Sequence, residues 1–300
     1  AIRYSHPTWM VARWFDRYGP EATKALLEAN NRRPTYAIRA NRQKITPRQL
    51  AERLDEEEIP YERSPWISEF FRLEQVQPVL DADLVSEGLC AVQDEGAGAV
   101  VELLDPRPGE TVIDLCAAPG GKTLFIAERM EDTGTLLAAD LHERRMDLLR
   151  DSAERHGLSN IRPEVVDGRE LARQPEPPRA DRVLVDVPCT GLGVLSKRAD
   201  LRWNRTPEDL EELVRLQEEL IDAAARMVRP GGLLVYSTCS IEPEENEGQV
   251  VAFLERNPAF EREAAGDVLP EELVRDGALV TLPHEHGIDG AFAVRLRRRR

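Results

Sequence analysis

Two cysteines in this 300-residue chain stand where chemistry can be done: Cys189 in Asp186-Val187-Pro188-Cys189-Thr190-Gly191, and Cys239 in Ser237-Thr238-Cys239-Ser240. Each closes an apolar run, RVLVD at 182–186 and GLLVYST at 232–238, whose residue types predict a buried strand. If those strands are neighbours in a parallel sheet, with strands ~4.8 Å apart, both thiols reach one ligand in the crevice beyond their carboxyl ends. Paired thiols suit substitution at carbon 5 of cytosine. That carbon is too weak a nucleophile to attack a methyl sulfonium, but a thiolate adding to carbon 6 converts the ring into an enamine that can. A second group must then help remove the proton from carbon 5 and expel the thiol. A lone cysteine is more often inert core filling, the reading that fits Cys90 and Cys116. For Cys189 and Cys239 the neighbours point the other way, because Pro188 stiffens one loop and Ser and Thr surround the other thiol. With no CxxC and no His/Cys pair at ligand spacing, neither a metal site nor a disulfide framework is expected.

A third motif points to a cofactor. The run TVIDLC (111–116) passes straight into Ala117-Ala118-Pro119-Gly120-Gly121-Lys122-Thr123 and then into a helical pattern. Small residues at such a junction let backbone approach a ligand closely at the carboxyl end of a strand. The dinucleotide fingerprint GxGxxG is absent, and a phosphate-binding loop would need glycine where Cys116 stands, so neither NAD nor ATP is favoured. Asp114, Asp140, Asp167 and Asp186 all fall at expected strand ends. One such acid is usually a helix cap or a solvated turn. Four together suit a nucleoside, with Asp140 accepting ribose hydroxyls and Asp167 meeting the adenine edge.

The frame for these groups is an alternation of strands, TVIDLC, TLLAAD (135–140), PEVVD (163–167), RVLVD and GLLVYST, with helical stretches such as KTLFIAERM and HERRMDLLRDSAERHG. That order gives an α/β fold, a parallel sheet with helices on both faces. A long helix precedes the fifth strand, with Thr206 and Asp209 as a capping box around Pro207 and Pro230-Gly231-Gly232 as its stop. ALVTL (278–282) and AFAVRL (291–296) add two strands near the C-terminus. Ahead of all this lie helical patterns over 7–18 and 20–30, an extended TYAIRANR, and a helix opening at Thr46-Pro47. The chain therefore divides into a small basic α+β region, 1–85, and a catalytic domain, 86–300.

A formal charge of −15 argues against a polyanionic substrate until its distribution is considered. Residues 1–50 carry ten basic and three acidic side chains, +7 locally, which leaves −22 on the rest. Only four basic residues are lysines, a bias that fits either a high-salt habitat or a genome rich in Arg codons. No apolar run nears the ~20 residues of a membrane span, and AIRYSHPTWM lacks the shape of a signal peptide, so a cytoplasmic protein is expected.

The strings VQDEGAGAVVELLDPRPGETVIDLCAAPGGKT, DVPCTGLGVLSKRADLRW, PGGLLVYSTCSIEPEENE and LPHEHGIDGAFAVRL resemble the RsmB/Sun family of RNA cytosine-5 methyltransferases over almost the whole chain. The resemblance implies a Rossmann-like catalytic domain that holds S-adenosylmethionine with Cys116, Ala117, Ala118, Pro119, Gly120, Gly121, Lys122, Asp140, Asp167 and Asp186. It implies that Cys239 attacks the base and Cys189 assists product release, with Asp186 and Lys122 placed to polarise the ring. DNA cytosine-5 methyltransferases use the thiol of a Pro-Cys pair, so fold analogy alone would have chosen Cys189. HPTWMVARW and ANNRRPTYAIRANR resemble the RNA-binding region of the bacterial ribosomal-RNA branch, which often carries a NusB-like domain in front that this sequence does not include. EGAGA at 95–99 departs from the Ala-Ser-Gln string frequent in the family.

The expected RNA contacts are Arg32, Arg33, Arg39, Arg42 and Lys44 along the phosphates, with Lys197, Arg198, Arg202 and Trp203 near a flipped base. The tail Arg297–Arg300 could add a nonspecific contact. A monomer acting on 16S ribosomal RNA is expected, with transfer RNA as the alternative target. A methyltransferase for protein or small molecules would leave the two thiols idle, and a noncatalytic RNA-binding scaffold would bind no cofactor.

Overall fold

In the computed structural model, which describes all 300 residues, α1 (Thr8–Asn31) is one helix broken at Gly19, where φ is 76° and ψ 175°, and restarted by Pro20. Proline removes an N–H and keeps the preceding residue out of the helical region, so the break falls between the two helical patterns in the sequence. Next come β1 (Tyr36–Ala40), α2 (Pro47–Glu56), β2 (Glu62–Arg63), β3 (Phe70–Leu73), the short α3 (Gln77–Asp81) and β4 (Cys90–Val92). They build an antiparallel sheet in the order β2-β3-β1-β4. The Thr46 hydroxyl accepts the Gln49 N–H while the Gln49 side chain accepts the Thr46 N–H, a capping box that starts α2. Leu50 and Leu54 of this helix pack on Ile38 and Phe71 of the sheet. The fourth strand comes from beyond residue 85, because Cys90, Ala91 and Val92 pair with Ala40, Arg39 and Ile38.

The larger part runs α4 (Glu95–Leu104), β5 (Thr111–Leu115), α5 (Gly121–Arg129), β6 (Thr135–Asp140), α6 (Glu143–His156), β7 (Ile161–Val165), α7 (Gly168–Leu171) and β8 (Ala180–Asp186). It continues through α8 (Leu201–Asn204), α9 (Pro207–Met227), β9 (Val228–Thr238), α10 (Glu247–Arg256), β10 (Phe260–Glu263), β11 (Val274–Arg275), β12 (Ala278–Thr281), α11 (Pro283–His286) and β13 (Ala291–Arg298). The sheet order is β11-β12-β13-β9-β8-β5-β6-β7, with β10 paired to the edge of β13. Strands β5 to β9 are parallel, and β13 is antiparallel to β9. Both faces are covered, and successive side chains alternate between them: Val112 and Leu184 join one apolar cluster, Ile113, Val183 and Val185 the other. The chain moves outward from β5 to β7, then returns to β8 on the other side of β5. This reversal opens a crevice beyond the carboxyl ends of β5 and β8. No helix is long and apolar enough to cross a membrane.

Helix α1 packs on the larger part. Met10, Trp14, Leu26 and Leu27 share a cluster with Leu192, Leu195, Ile241 and Leu282. The Trp14 indole donates to Glu242 at 2.8 Å, and Arg13 bonds Glu242 and Glu244, so the helix clamps the segment that follows Cys239.

The structure corrects two of the expected RNA contacts. Arg39 is fully buried: its guanidinium pairs with Glu128 of α5, donates to Gln93 at 2.8 Å and lies 4.2 Å from the centre of the Phe125 ring. It pins β1 to α5. Arg202 is also buried, and it donates to Asn31 Oδ1 at 2.7 Å and to the Asn30 carbonyl at 2.5 Å, satisfying an acceptor at the end of α1. Arg42 and Lys44 are exposed at the end of the sheet away from the crevice. Arg42 borders a groove with Pro106 and Arg129, and Lys44 donates to the carbonyls of Glu87 and Arg155 at 2.8 and 2.6 Å. Helices α5 and α6 begin at the crevice, so their far ends lie roughly 14–21 Å away from it, at 1.5 Å per residue. Arg32, Arg33 and Arg198 remain exposed, and Arg32 and Arg33 line a groove with Lys197, eight residues after Cys189.

Candidate active site

Strands β8 and β9 pair in parallel, with Asp186 opposite Ser237, so the loops that follow them emerge side by side. Cys189 Sγ and Cys239 Sγ are 3.3 Å apart, and both thiols are partly exposed. A cleft of about 470 Å³ leads from them past Asp186 and Cys116 to Asp140 and Asp167. One Asp186 oxygen accepts Lys122 Nζ and the other the Ser237 hydroxyl, each at 2.7 Å. Burial works against the Lys122 ammonium, but the Asp186 carboxylate outweighs it and raises its pKa. The hydrogen bond that Cys189 donates to Cys239, together with burial, pushes the Cys189 thiol well up. Cys90 is fully buried and pushed up to about 12 by burial, and burial likewise raises Cys116. Those two thiols are chemically quiet.

After Leu115 the chain turns sharply. Cys116 has a φ of 63°, Ala118-Pro119 is cis, and Gly120 has a φ of 113° at a point where a Cβ would lie 2.5 Å from Leu149 Cδ1. Only glycine fits there, both sterically and conformationally. The N–H groups of Ala118 and His142 each donate to Asp140 at 3.0 Å, which ties the turn to the end of β6. Asp167 is not the end of the third strand but the cap of α7, because β7 stops at Val165. Hydrogen bonds from Arg169 hold its carboxyl below the usual range, and it still faces the cleft.

Asp114 lies inside β5 rather than at its end. One of its oxygens accepts the Thr123 hydroxyl at 2.7 Å; the other is buried without a partner, and burial pushes the carboxyl up to about 7. The Gln93 amide nitrogen is buried and unpartnered as well. Both side chains, with Lys122, line a second pocket of about 180 Å³ that shares Cys116, Ala118 and Asp186 with the main cleft. Buried polar groups rarely go unpaired. An unpaired acceptor and donor at the N-terminus of α5 match the ammonium and carboxylate of an amino acid, while Asp140 and Asp167 stand where a nucleoside would lie. The residues therefore fit S-adenosylmethionine.

Sequence reasoning brought Cys189, Cys239, Asp186, Lys122, Asp140, Asp167 and the 116–122 turn to one crevice, and the structure does assemble them. It missed Gln93, Arg145, whose guanidinium donates to the Ala118 carbonyl, and Leu216 and Leu220 on the cleft side of α9. The helical period of α9 shows that the two leucines share a face but not what that face meets.

The switch-point crevice, the glycine turn after the first parallel strand and the fitting cofactor groups define a Rossmann-like, S-adenosylmethionine-dependent methyltransferase. The family model described as 16S rRNA methyltransferase RsmB/F matches residues 101–297, and a ferredoxin-like domain model of RsmF/B-like methyltransferases matches residues 6–80. The chain belongs to the RsmB/F family of RNA methyltransferases. It is 35% identical over 303 residues to the probable ribosomal RNA small subunit methyltransferase B of Bacillus subtilis, covering 100% of this chain and 68% of that protein. The crystal structure of PH0851 is similar with a TM-score of 0.93 and 34% identity, over 99% of this chain and 67% of that one. NSun6 from Pyrococcus horikoshii, crystallised with SFG, shares the fold, with a TM-score of 0.86, 22% identity and 98% coverage of both chains. The chain thus spans about two thirds of the length of the first two.

Proposed function

We propose that this chain methylates carbon 5 of a cytosine in 16S ribosomal RNA through a transient cysteine adduct. The observation that carries the reading is a pair of free thiols 3.3 Å apart at the mouth of a cleft that fits S-adenosylmethionine. When bound, that cofactor supplies an electrophilic methyl group. Cys239 adds to carbon 6 of the base, which makes carbon 5 nucleophilic. Asp186 and the Lys122 ammonium, 2.7 Å apart, are placed to hold the polar edge of the ring and take up charge there. Cys189 assists release: it gives its proton to the Cys239 sulfur as that sulfur is expelled and takes up the proton that leaves carbon 5. Arg32, Arg33 and Arg198 hold flanking phosphates on the Cys189 side. We set the domain boundary after β4, near residue 93, and place the protein in the cytoplasm as a monomer.

Methyl transfer from labelled cofactor to 16S transcripts and to transfer RNA, followed by bisulfite sequencing, tests the target. Conversion-resistant cytosine in 16S RNA alone is expected; label in transfer RNA alone would reassign the substrate. Changing Arg32 and Arg33 together to Gln should weaken RNA binding at every sequence tested and reduce the slope of log K against log salt by about two, one for each phosphate contact. An unchanged slope would remove them from the interface.

Asp114 gives a pH prediction. Its carboxyl titrates at about 7 in the fold, well above its unfolded value, so its contribution to stability is present at low pH and is lost as pH rises toward 7. The ammonium of the cofactor favours the ionised form, so cofactor affinity should rise up to about pH 7 and then level off, with proton release on binding below that pH. Asp114→Asn should flatten this profile, weaken binding about ten- to a hundredfold and raise the melting temperature of the free protein at pH 8. Calorimetry in buffers of different ionisation enthalpy reads the proton; a wild-type profile flat between pH 5 and 8 would exclude the ion pair.

A further inference from the structure

The two cysteine loops are held against each other by a carboxylate. Glu245, in the turn between β9 and α10, is fully buried, and the partners of its side chain are all neutral. One oxygen accepts the Thr190 N–H at 2.8 Å and the Gln217 amide at 2.9 Å; the other accepts the Thr190 hydroxyl at 2.5 Å. The same Gln217 amide donates to the Pro188 carbonyl at 2.9 Å, so both residues flanking Cys189 are fixed through this group. On the opposite side the Thr190 hydroxyl lies 3.1 Å from the hydroxyl of Ser240, the residue after Cys239. Glu245 is itself anchored to β9, where the Tyr236 hydroxyl donates to its carbonyl at 2.6 Å.

Burying a carboxylate without a cation is costly, and three hydrogen bonds to neutral donors offset that cost only while every donor stays in place. We propose that Glu245 is a positioning residue: by joining Thr190, Gln217 and, through Thr190, Ser240, it sets the distance between the two thiols. It touches neither base nor cofactor. The consequence for turnover rests on the proposed roles of Cys189 and Cys239, but the positioning itself can be read without RNA or cofactor.

The experiment uses the full chain and diamide. Diamide takes two electrons and two protons from a pair of thiols, forming one S–S bond and reducing its own N=N bond to a hydrazine. Mass spectrometry of peptides follows the Cys189–Cys239 cross-link. The wild-type protein should cross-link readily, whereas Glu245→Gln and Thr190→Val, each checked for folding by thermal melting, should do so about a hundredfold more slowly, the cost of misplacing reacting atoms by about 1 Å. Thr190→Ser, which keeps the hydroxyl, should restore the rate. If Glu245→Gln does not fold, Thr190→Val and Thr190→Ser carry the comparison. Wild-type cross-linking rates in folded Thr190→Val overturn the proposal, as does failure of Thr190→Ser to differ from Thr190→Val. In turnover, both slow variants should accumulate covalent RNA complex, with kcat and KM falling together and kcat/KM unchanged. If Cys189→Ala itself traps no complex, the assigned role of Cys189 fails, while the cross-linking rates still decide the role of Glu245.

Discussion

Cys239→Ala should abolish methyl transfer and the covalent RNA complex together, whereas Cys189→Ala should form the complex and fail to release it. The expected loss for Cys239→Ala is about 10⁴-fold or more in turnover, the scale on which removing a catalytic nucleophile acts. Both thiols face the same cleft 3.3 Å apart, so position alone does not separate them; the assignment follows the resemblance of the STCS and DVPCT strings to the family. The hydrogen bond that Cys189 donates to Cys239, together with burial, raises the Cys189 thiol, which is compatible with a group that gives a proton to a departing sulfur. Incubation with labelled RNA and cofactor, followed by a denaturing gel, separates the two variants. A trapped complex in Cys239→Ala and none in Cys189→Ala would exchange the assignments.

Arg39→Ala should cost about 3–5 kcal/mol of stability, because it leaves Glu128 buried and unpaired. His156 Nδ1, at 3.3 Å, is the other side-chain contact of that carboxylate, so loss of the guanidinium removes its Arg partner and strands a charge between β1 and α5. Denaturant unfolding of the single variants and of a variant with Arg39→Met and Glu128→Leu together tests this. The double replacement should recover most of the loss, since an apolar pair of similar volume removes both charges. The salt dependence of RNA binding should be unchanged in Arg39→Met. A reduced salt slope with stability intact would return Arg39 to the RNA interface and overturn the structural role.

Arg39 also shows where the sequence stops being legible. In β1, Ile38 and Ala40 face the core of the small sheet, while Ala37 belongs to the core that includes α5, and Arg39 bonds Glu128 on that same side. Both faces of the strand are covered, so a charged residue at the alternate position is buried, where alternation in an isolated sheet would put it in water. Arg202 misled for a related reason, because its partner is the end of α1, about 170 residues earlier in the chain. Positive charge is legible in a sequence, but whether a carboxylate or a carbonyl waits for it is not.

Local chemistry was sufficient for much of the rest. Residues 135–140 form a strand within the limits their composition marks, and Thr206 and Asp209 close the capping box that starts α9. Such features depend on interactions a few residues apart, which is why a single chain displays them. The chemistry was legible as well: two cysteines after apolar strands, a glycine turn after another, and acids at the ends of β6 and β8. Tertiary structure alone decided that β8 and β9 lie in register so that the thiols meet, that Asp114 is buried inside its strand and titrates at about 7, and that Glu245 holds the two loops together. Each of these depends on groups distant in the chain sharing a space from which water is excluded, and the register and burial that create that space arise only when the sheet closes.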